Sequence, residues 1–314
     1  MKMFPFRYSL ELGNGLCWNF YFSEDLRDWG QKFVSILGLP ASGATQGRGI
    51  YLCSEREARR PEIRGFFDKT VDSCQNFTIR GVNIFYNPDT QDSLSILPLV
   101  PVNQDEHGII QMMVILFTLH YQLLQHGGLP LHGALLNHPG YGGIGILAPG
   151  GTGKSTCARR IPAPWSPYCD DLFWVVSDSG SQYISHPFPT WSEYFNESKK
   201  QPGSKCWNVG NYTLLKGLYF LQKAEEDVSF PLDPPEASVW IFESSMQTCS
   251  WLLDDLPKEE QRKTKIRIFE NSCRLARNIP ARILRATLNG QFWKILENNG
   301  EINKNQTIRR NYNG

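Results

Sequence analysis

Between Ile144 and Ile161 the chain passes from an apolar run through Ala148-Pro-Gly-Gly-Thr-Gly-Lys154-Ser155-Thr156 into a short helix-like segment. This stretch constrains the fold most, because strand, glycine loop and helix in that order are the setting of a phosphate-binding loop. Gly150, Gly151 and Gly153 let backbone N–H groups turn inward around phosphate oxygens, and the helix start adds its positive end. In such a loop Lys154 reaches the β- and γ-phosphates and the Ser155 hydroxyl ligates Mg²⁺. The candidate nucleotide-binding residues are therefore Gly150, Gly151, Thr152, Gly153, Lys154, Ser155 and Thr156. Ala148 stands where the strict pattern has glycine, and an ordinary glycine-rich turn with a solvated lysine is the competing reading.

Two flanks bear on that choice. Downstream, Asp170-Asp171 precedes the apolar run Leu172 to Val176. Adjacent carboxylates repel when buried together, so a metal or a proton relieves them. Beside a phosphate loop the pair is a candidate metal ligand and catalytic base; elsewhere it would read as a surface turn. Upstream, Leu131 to Leu136 reads as a strand of the same sheet. His132 on that strand, taken alone, reads as a structural histidine.

Together these pieces resemble the HPr kinase/phosphorylase family, with His132-Gly133, Gly153-Lys154-Ser155 and Asp170-Asp171 as the matching residues. Phosphoenolpyruvate carboxykinases share the same loop-and-aspartate plan. The resemblance implies that Lys154 holds phosphates, that Ser155 and Asp170 hold Mg²⁺, and that Asp171 takes the proton of an acceptor serine with His132 nearby. The family's second signature, Glu-Ile-Arg-Gly-Leu-Gly, is absent; His186 to Phe195 stands in its place, where Glu193 is a candidate second metal carboxylate. Outside the loop the chain is more similar to the HPr-kinase-like proteins of SynChlorMet-type peptide-modification cassettes. That similarity rests on Leu215 to Leu221, the helix from Pro235, Ile279-Pro280-Ala281 and Gly290 to Trp293.

The net charge of +1 offers no electrostatic case for nucleic acid or an anionic membrane. No run of eighteen apolar residues suggests a membrane span, and the start lacks the apolar core of a signal peptide. The eight cysteines contain no Cys-x-x-Cys pair, so free thiols in a reducing cytoplasm are expected.

Residues 1 to 105 read as a smaller α+β region without catalytic motifs, able to cap the core, recognise a partner or mediate self-association into a homo-oligomer. Strands are expected over Phe6 to Leu12 and Leu16 to Phe22 around Gly13-Asn14-Gly15, then over Arg48 to Cys53 and Thr78 to Tyr86. A helix is expected over Leu26 to Leu39, and a solvated loop over Glu55 to Arg60. Residues 106 to 300 read as the core, opening with a packed helix that ends at Gln125, and residues 301 to 314 as a disordered tail. Pro187 to Asn211 reads as a long irregular segment suited to an extended ligand. There Trp191 and Trp207 would lend apolar contact and Lys199, Lys200 and Lys205 would attract acidic residues. Lys216 interrupts an apolar strand, as an edge lysine or a phosphate contact. Helices are expected over Pro235 to Gln247 and Pro257 to Asn278, and a strand over Ala281 to Ala286.

The expected fold is α/β, an HPr-kinase/phosphoenolpyruvate-carboxykinase-like core behind the α+β region. The expected function is phosphoryl transfer from ATP, with Mg²⁺, to a serine of a peptide or protein substrate, with Asp171, His132 and Lys154 catalytic. A non-catalytic nucleotide-binding component of a peptide-modification complex, a small-molecule kinase or an NTPase are the alternatives.

Overall fold

The computed structural model describes residues 3–41, 46–68, 74–99, 105–178, 182–191 and 207–299. The fold is mixed α/β, with two mixed sheets in two compact units. The first unit comprises Met1–Gly128, His186–Tyr212 and Cys249–Arg267; the second comprises Leu129–Ser185, Thr213–Thr248 and Ile268–Gly314.

In the first unit, β1 (Phe6–Glu11) and β2 (Cys17–Phe22) form the hairpin anticipated from Gly13-Asn14-Gly15. Strand β2 is buried along nearly its whole length, and β3 (Arg48–Ser54) continues the sheet beside it in parallel. The helix α1 (Arg27–Leu37) sets Phe33 against Phe20 and Phe22 at centroid distances of 5.6 and 6.4 Å, and stops at Gly38 in the left-handed conformation. Two readings of this region change. The single strand expected over 78–86 is a hairpin of β4 (Gln75–Ile79) and β5 (Val82–Tyr86). Arg80 and Gly81 both adopt positive φ at its turn, the pattern that suits a two-residue hairpin. The segment expected as a solvated loop begins with a helical turn, Glu55–Ala58, capped by the Ser54 hydroxyl, which accepts from the Glu57 N–H at 3.1 Å. Glu57 itself is buried and accepts from the Asp25 N–H, while Glu55, Arg56, Arg59 and Arg60 remain exposed as expected. Strand β6 (Ser93–Leu97) completes the order β1-β2-β3-β6-β5-β4.

The long helix Asp105–Gln125 belongs to this unit. By length and composition its stretch His107–Gln125 could cross a membrane, yet 78% of it is buried within the protein. Its polar side chains are used internally: Gln122 accepts from the Trp18 indole at 2.5 Å and Gln125 from the Tyr86 hydroxyl at 2.8 Å. It is a core helix.

Trp191 and Trp207 are buried, so they do not offer the exposed contact area expected of them. The backbone amides of Trp207 and Val209 donate to Ile36 and Leu37 carbonyls at 3.2 and 3.0 Å, tying this end of the irregular segment to α1. Glu193, Lys199, Lys200, Lys205 and the tail from Gly300 lie outside the described residues.

The second sheet comprises β7 (Leu129–His138), β8 (Gly142–Leu147), β9 (Ser166–Cys169), β10 (Leu172–Ser177), β11 (Tyr183–Phe188), β12 (Thr213–Lys223), β13 (Val228–Leu232) and β14 (Ala281–Ala286). The sheet order is β11-β10-β7-β8-β12-β14-β13, with β9 added to β7 and a further pairing of β11 with β12. Strands β8, β12 and β14 are mutually parallel, so their carboxyl ends open on one side. Lys216 lies on inner strand β12, exposed at the irregularity between Leu215 and Gly217, and is therefore not an edge-strand lysine. One core cluster joins Ala134 and Leu136 of β7, Ile146 of β8, Cys157 and Ala158 after the glycine loop, and Phe292 and Leu296 of the terminal helix 292–299.

Candidate functional site

The site grows from the middle of β7. There His132 lies opposite Leu172 in the antiparallel pairing of β7 with β10. The same register leaves Asp170-Asp171 just before β10, alongside the His132-Gly133 peptide. Glycine at 133 is a packing requirement: a Cβ there would stand 2.5 Å from Leu147 Cδ2, 2.7 Å from the Ile146 carbonyl oxygen and 2.9 Å from Phe173 Cε1. Removing that Cβ lets three strands meet closely enough to hold the histidine and the aspartates together.

The glycine loop leaves β8 at Leu147. Gly151 and Gly153 have φ of +75° and +120°, conformations in which a side chain is strained. Gly150 and Gly151 are exposed, with no atom within 4 Å of where their Cβ would be. The helix that follows is short, Lys154–Arg160, and its first residue is buried. Lys154 Nζ donates to the Ala148 carbonyl at 2.7 Å and to the Pro149 carbonyl at 3.2 Å, so the side chain folds back on the start of its own loop. Burial lowers the pKa of this amine, while Asp171 and Asp170 raise it. Lysine and both aspartates therefore act on one another electrostatically. Ser155 and Thr156 occupy the first helical turn, half-buried.

His132 Nε2 lies 3.4 Å from Asp171 Oδ1, with the two side chains 22% and 40% exposed, so a solute can reach the carboxylate. On the other side of the ring, Nδ1 lies 2.6 Å from Gln247 Oε1. The Ser244 hydroxyl donates to the His132 carbonyl at 3.2 Å. Ser244 and Gln247 stand three apart on the helix Pro234–Leu253, hence on one face of it. Motif reading missed both, because neither belongs to a spacing pattern with the loop or the aspartates. The sequence signal for them was the run of polar residues Ser244, Ser245, Gln247 and Thr248 in the middle of the helix.

The residues picked from three separate motifs thus gather in the second unit: His132, the loop with Lys154, and Asp170-Asp171. Among the described residues there is no cluster of three or more His, Cys, Asp or Glu able to hold a metal by itself. The family model of the SynChlorMet cassette protein ScmC matches residues 96–300, more than half of the chain and every residue of this site. The chain belongs to the ScmC family. No curated protein matches it. In this ScmC-family chain the matched stretch also takes in Ser244 and Gln247, so the whole arrangement around His132 lies within the family's own span.

Proposed function

We propose that this chain transfers the γ-phosphoryl group of ATP, with Mg²⁺, to a serine hydroxyl of a peptide or protein, by way of an HPr-kinase-like phosphate loop. One observation carries the reading: a buried lysine on a glycine loop, two carboxylates acting on its charge, and a histidine 3.4 Å from one of them. The residues fit the phosphates, since the exposed Gly150-Gly151 backbone is open and the Lys154 amine rests on two carbonyls of its own loop. They also fit magnesium. Ser155 and Asp170 supply hard oxygen donors, and this ion takes only one or two carboxylates, leaving its other positions to phosphate and water. When bound, it neutralises charge on the phosphoryl oxygens.

Lys154 and the amides of Gly150 to Gly153 hold the phosphates in line with the acceptor. Asp171, open to solvent, accepts the proton of the serine hydroxyl as its oxygen forms the bond to phosphorus. His132 borders that carboxylate and stands ready to accept a hydrogen bond from it once it is protonated. Membership of a cassette family supports a peptide encoded in the same cassette as the acceptor. The free thiols of Cys17, Cys53, Cys157 and Cys273 suit action in the cytoplasm.

The test is incubation of the purified chain with γ-labelled ATP, Mg²⁺ and the cassette peptide, with mass spectrometry of the product. Phosphate on a peptide serine is expected. Label on water or on free serine alone would make the chain an NTPase or a metabolite kinase. Tight ATP binding without turnover would make it a non-catalytic component.

A further inference from the structure

We propose that Gln247 is a positioning residue for the His132–Asp171 pair, fixing the neutral imidazole with its proton on Nδ1. The inference deepens the kinase reading and, for its role in catalysis, rests on it. The geometry beneath it stands alone. Gln247 Oε1, an acceptor, faces Nδ1 at 2.6 Å and is the nearer of the acceptors at the two ring nitrogens, which is the ground for assigning the hydrogen to Nδ1. In neutral His132 the lone pair is then on Nε2, the atom 3.4 Å from Asp171 Oδ1.

That assignment has a chemical consequence. Two acceptors, the Nε2 lone pair and an ionised Asp171, do not hydrogen-bond to each other. They do so once a proton stands between them. When Asp171 receives the acceptor's proton, the O–H bond of the serine has broken, its electron pair forms the new O–P bond, and the pair of the broken P–O bond leaves with ADP. The new carboxyl O–H can then donate to Nε2. A histidine with its hydrogen on Nε2 would instead donate to Asp171 beforehand, and would weaken it as a base. Gln247 thus sets the direction of the one hydrogen bond on which the base depends. An orienting partner on the far nitrogen of a functional imidazole acts in this way at many sites.

Ser244 supports the same register from below. Its hydroxyl donates to the His132 carbonyl, so one face of a single helix holds both the backbone and the ring of this residue. Gln247 is exposed and outside the packed core, so its replacement leaves folding intact.

The experiment is ¹⁵N NMR of the imidazole of His132 in the full chain without ligand, at a pH where the ring is neutral, in wild type, Gln247→Leu and Gln247→Glu. The expected wild-type pattern is a protonated-type shift at Nδ1 and a bare-type shift at Nε2. Gln247→Leu should move the hydrogen to Nε2, and Gln247→Glu, which keeps an acceptor, should retain the wild-type pattern. A hydrogen on Nε2 in the wild type, or a tautomer indifferent to Gln247→Leu, overturns the proposal. In the transfer assay Gln247→Leu should lower kcat by about 10–100-fold with KM for ATP unchanged, and Gln247→Glu should restore most of the rate. A wild-type kcat in Gln247→Leu would overturn the positioning role. A wild type that transfers no phosphate would remove the kinase reading, while the nitrogen shifts would still decide the tautomer.

Discussion

The backbone N–H of Gly133 donates to the backbone C=O of Asp171 at 2.9 Å. Histidine and aspartate are therefore brought together by main chain, before either side chain acts. The separation of His132 Nε2 from Asp171 Oδ1 follows from strand register and from the close packing that Gly133 permits.

Gly133→Ala tests that relationship. The new methyl meets a backbone oxygen at 2.7 Å as well as two side chains, and backbone cannot move aside cheaply. A loss of about 1–3 kcal/mol is expected, the usual cost of overpacking a core, measured by urea denaturation. An unchanged midpoint would mean that the strands tolerate a wider spacing than their packing implies.

Lys154→Ala should abolish most affinity for a fluorescent ATP analogue while leaving the far-UV circular dichroism unaltered. The amine rests on the carbonyls of Ala148 and Pro149 and holds no strand or helix to another. Retained affinity in this variant would remove the phosphate-loop assignment.

The two aspartates should separate by phenotype. Asp171→Asn is expected to keep ATP and Mg²⁺ binding and to lower transfer by about 10²–10⁴-fold, the usual contribution of a positioned base. Asp170→Asn should instead raise the Mg²⁺ concentration needed for half-maximal rate. Wild-type behaviour in both would reduce the pair to a turn before β10.

A fourth prediction concerns acid stability in the first unit. His186 Nε2 accepts from the Gly13 N–H at 3.2 Å and its Nδ1–H donates to the Val209 carbonyl at 2.8 Å, so both nitrogens are used by the neutral ring. Burial lowers its pKa to about 4, against hydrogen bonds to the Val209 and Asn211 backbone that raise it. Burial alone lowers that of His120 to about 3. In both cases the unfolded chain binds the proton more readily than the folded one. Stability is thus present above about pH 6.5 and lost as pH falls towards 4 and below. For His186 the full shift corresponds to on the order of 3 kcal/mol. Urea midpoints between pH 7 and pH 4 should fall in the wild type and fall less in His186→Gln; parallel curves would show that other groups set the slope.

Much of this was legible in the sequence, for identifiable reasons. The hairpin at Gly13-Asn14-Gly15, helix α1 and the strand leading to the glycine loop are local patterns, and local patterns are written in adjacent residues. Arg80-Gly81 was missed because an arginine seldom adopts positive φ. Glu57 was missed because a charged residue seldom turns inward, and the Asp25 amide that accompanies Arg60 in satisfying it lies 32 positions away. Trp191 and Trp207 looked like a binding surface because nothing nearby in sequence covers them. At the site, His132, Lys154 and Asp171 were found through motifs. Gln247 was not, since its relation to His132 spans 115 positions and appears only when helix and strand pack.

The core beneath the glycine loop has a consequence for the order of events at the ribosome. Cys157 and Ala158, which anchor the helix after the loop, share their cluster with Phe292 and Leu296, and Trp165 donates to Glu297 at 2.9 Å. Arg160 donates to the Thr287 carbonyl at 3.4 Å and also to that of Gly290. These partners are translated more than a hundred residues after Lys154. During synthesis the loop emerges early, and the surface on which it rests, begun by Ala134, Leu136 and Ile146, is completed only when the terminal helix arrives. Nascent chains halted before Phe292 should therefore bind no nucleotide, however much of the first unit has already folded.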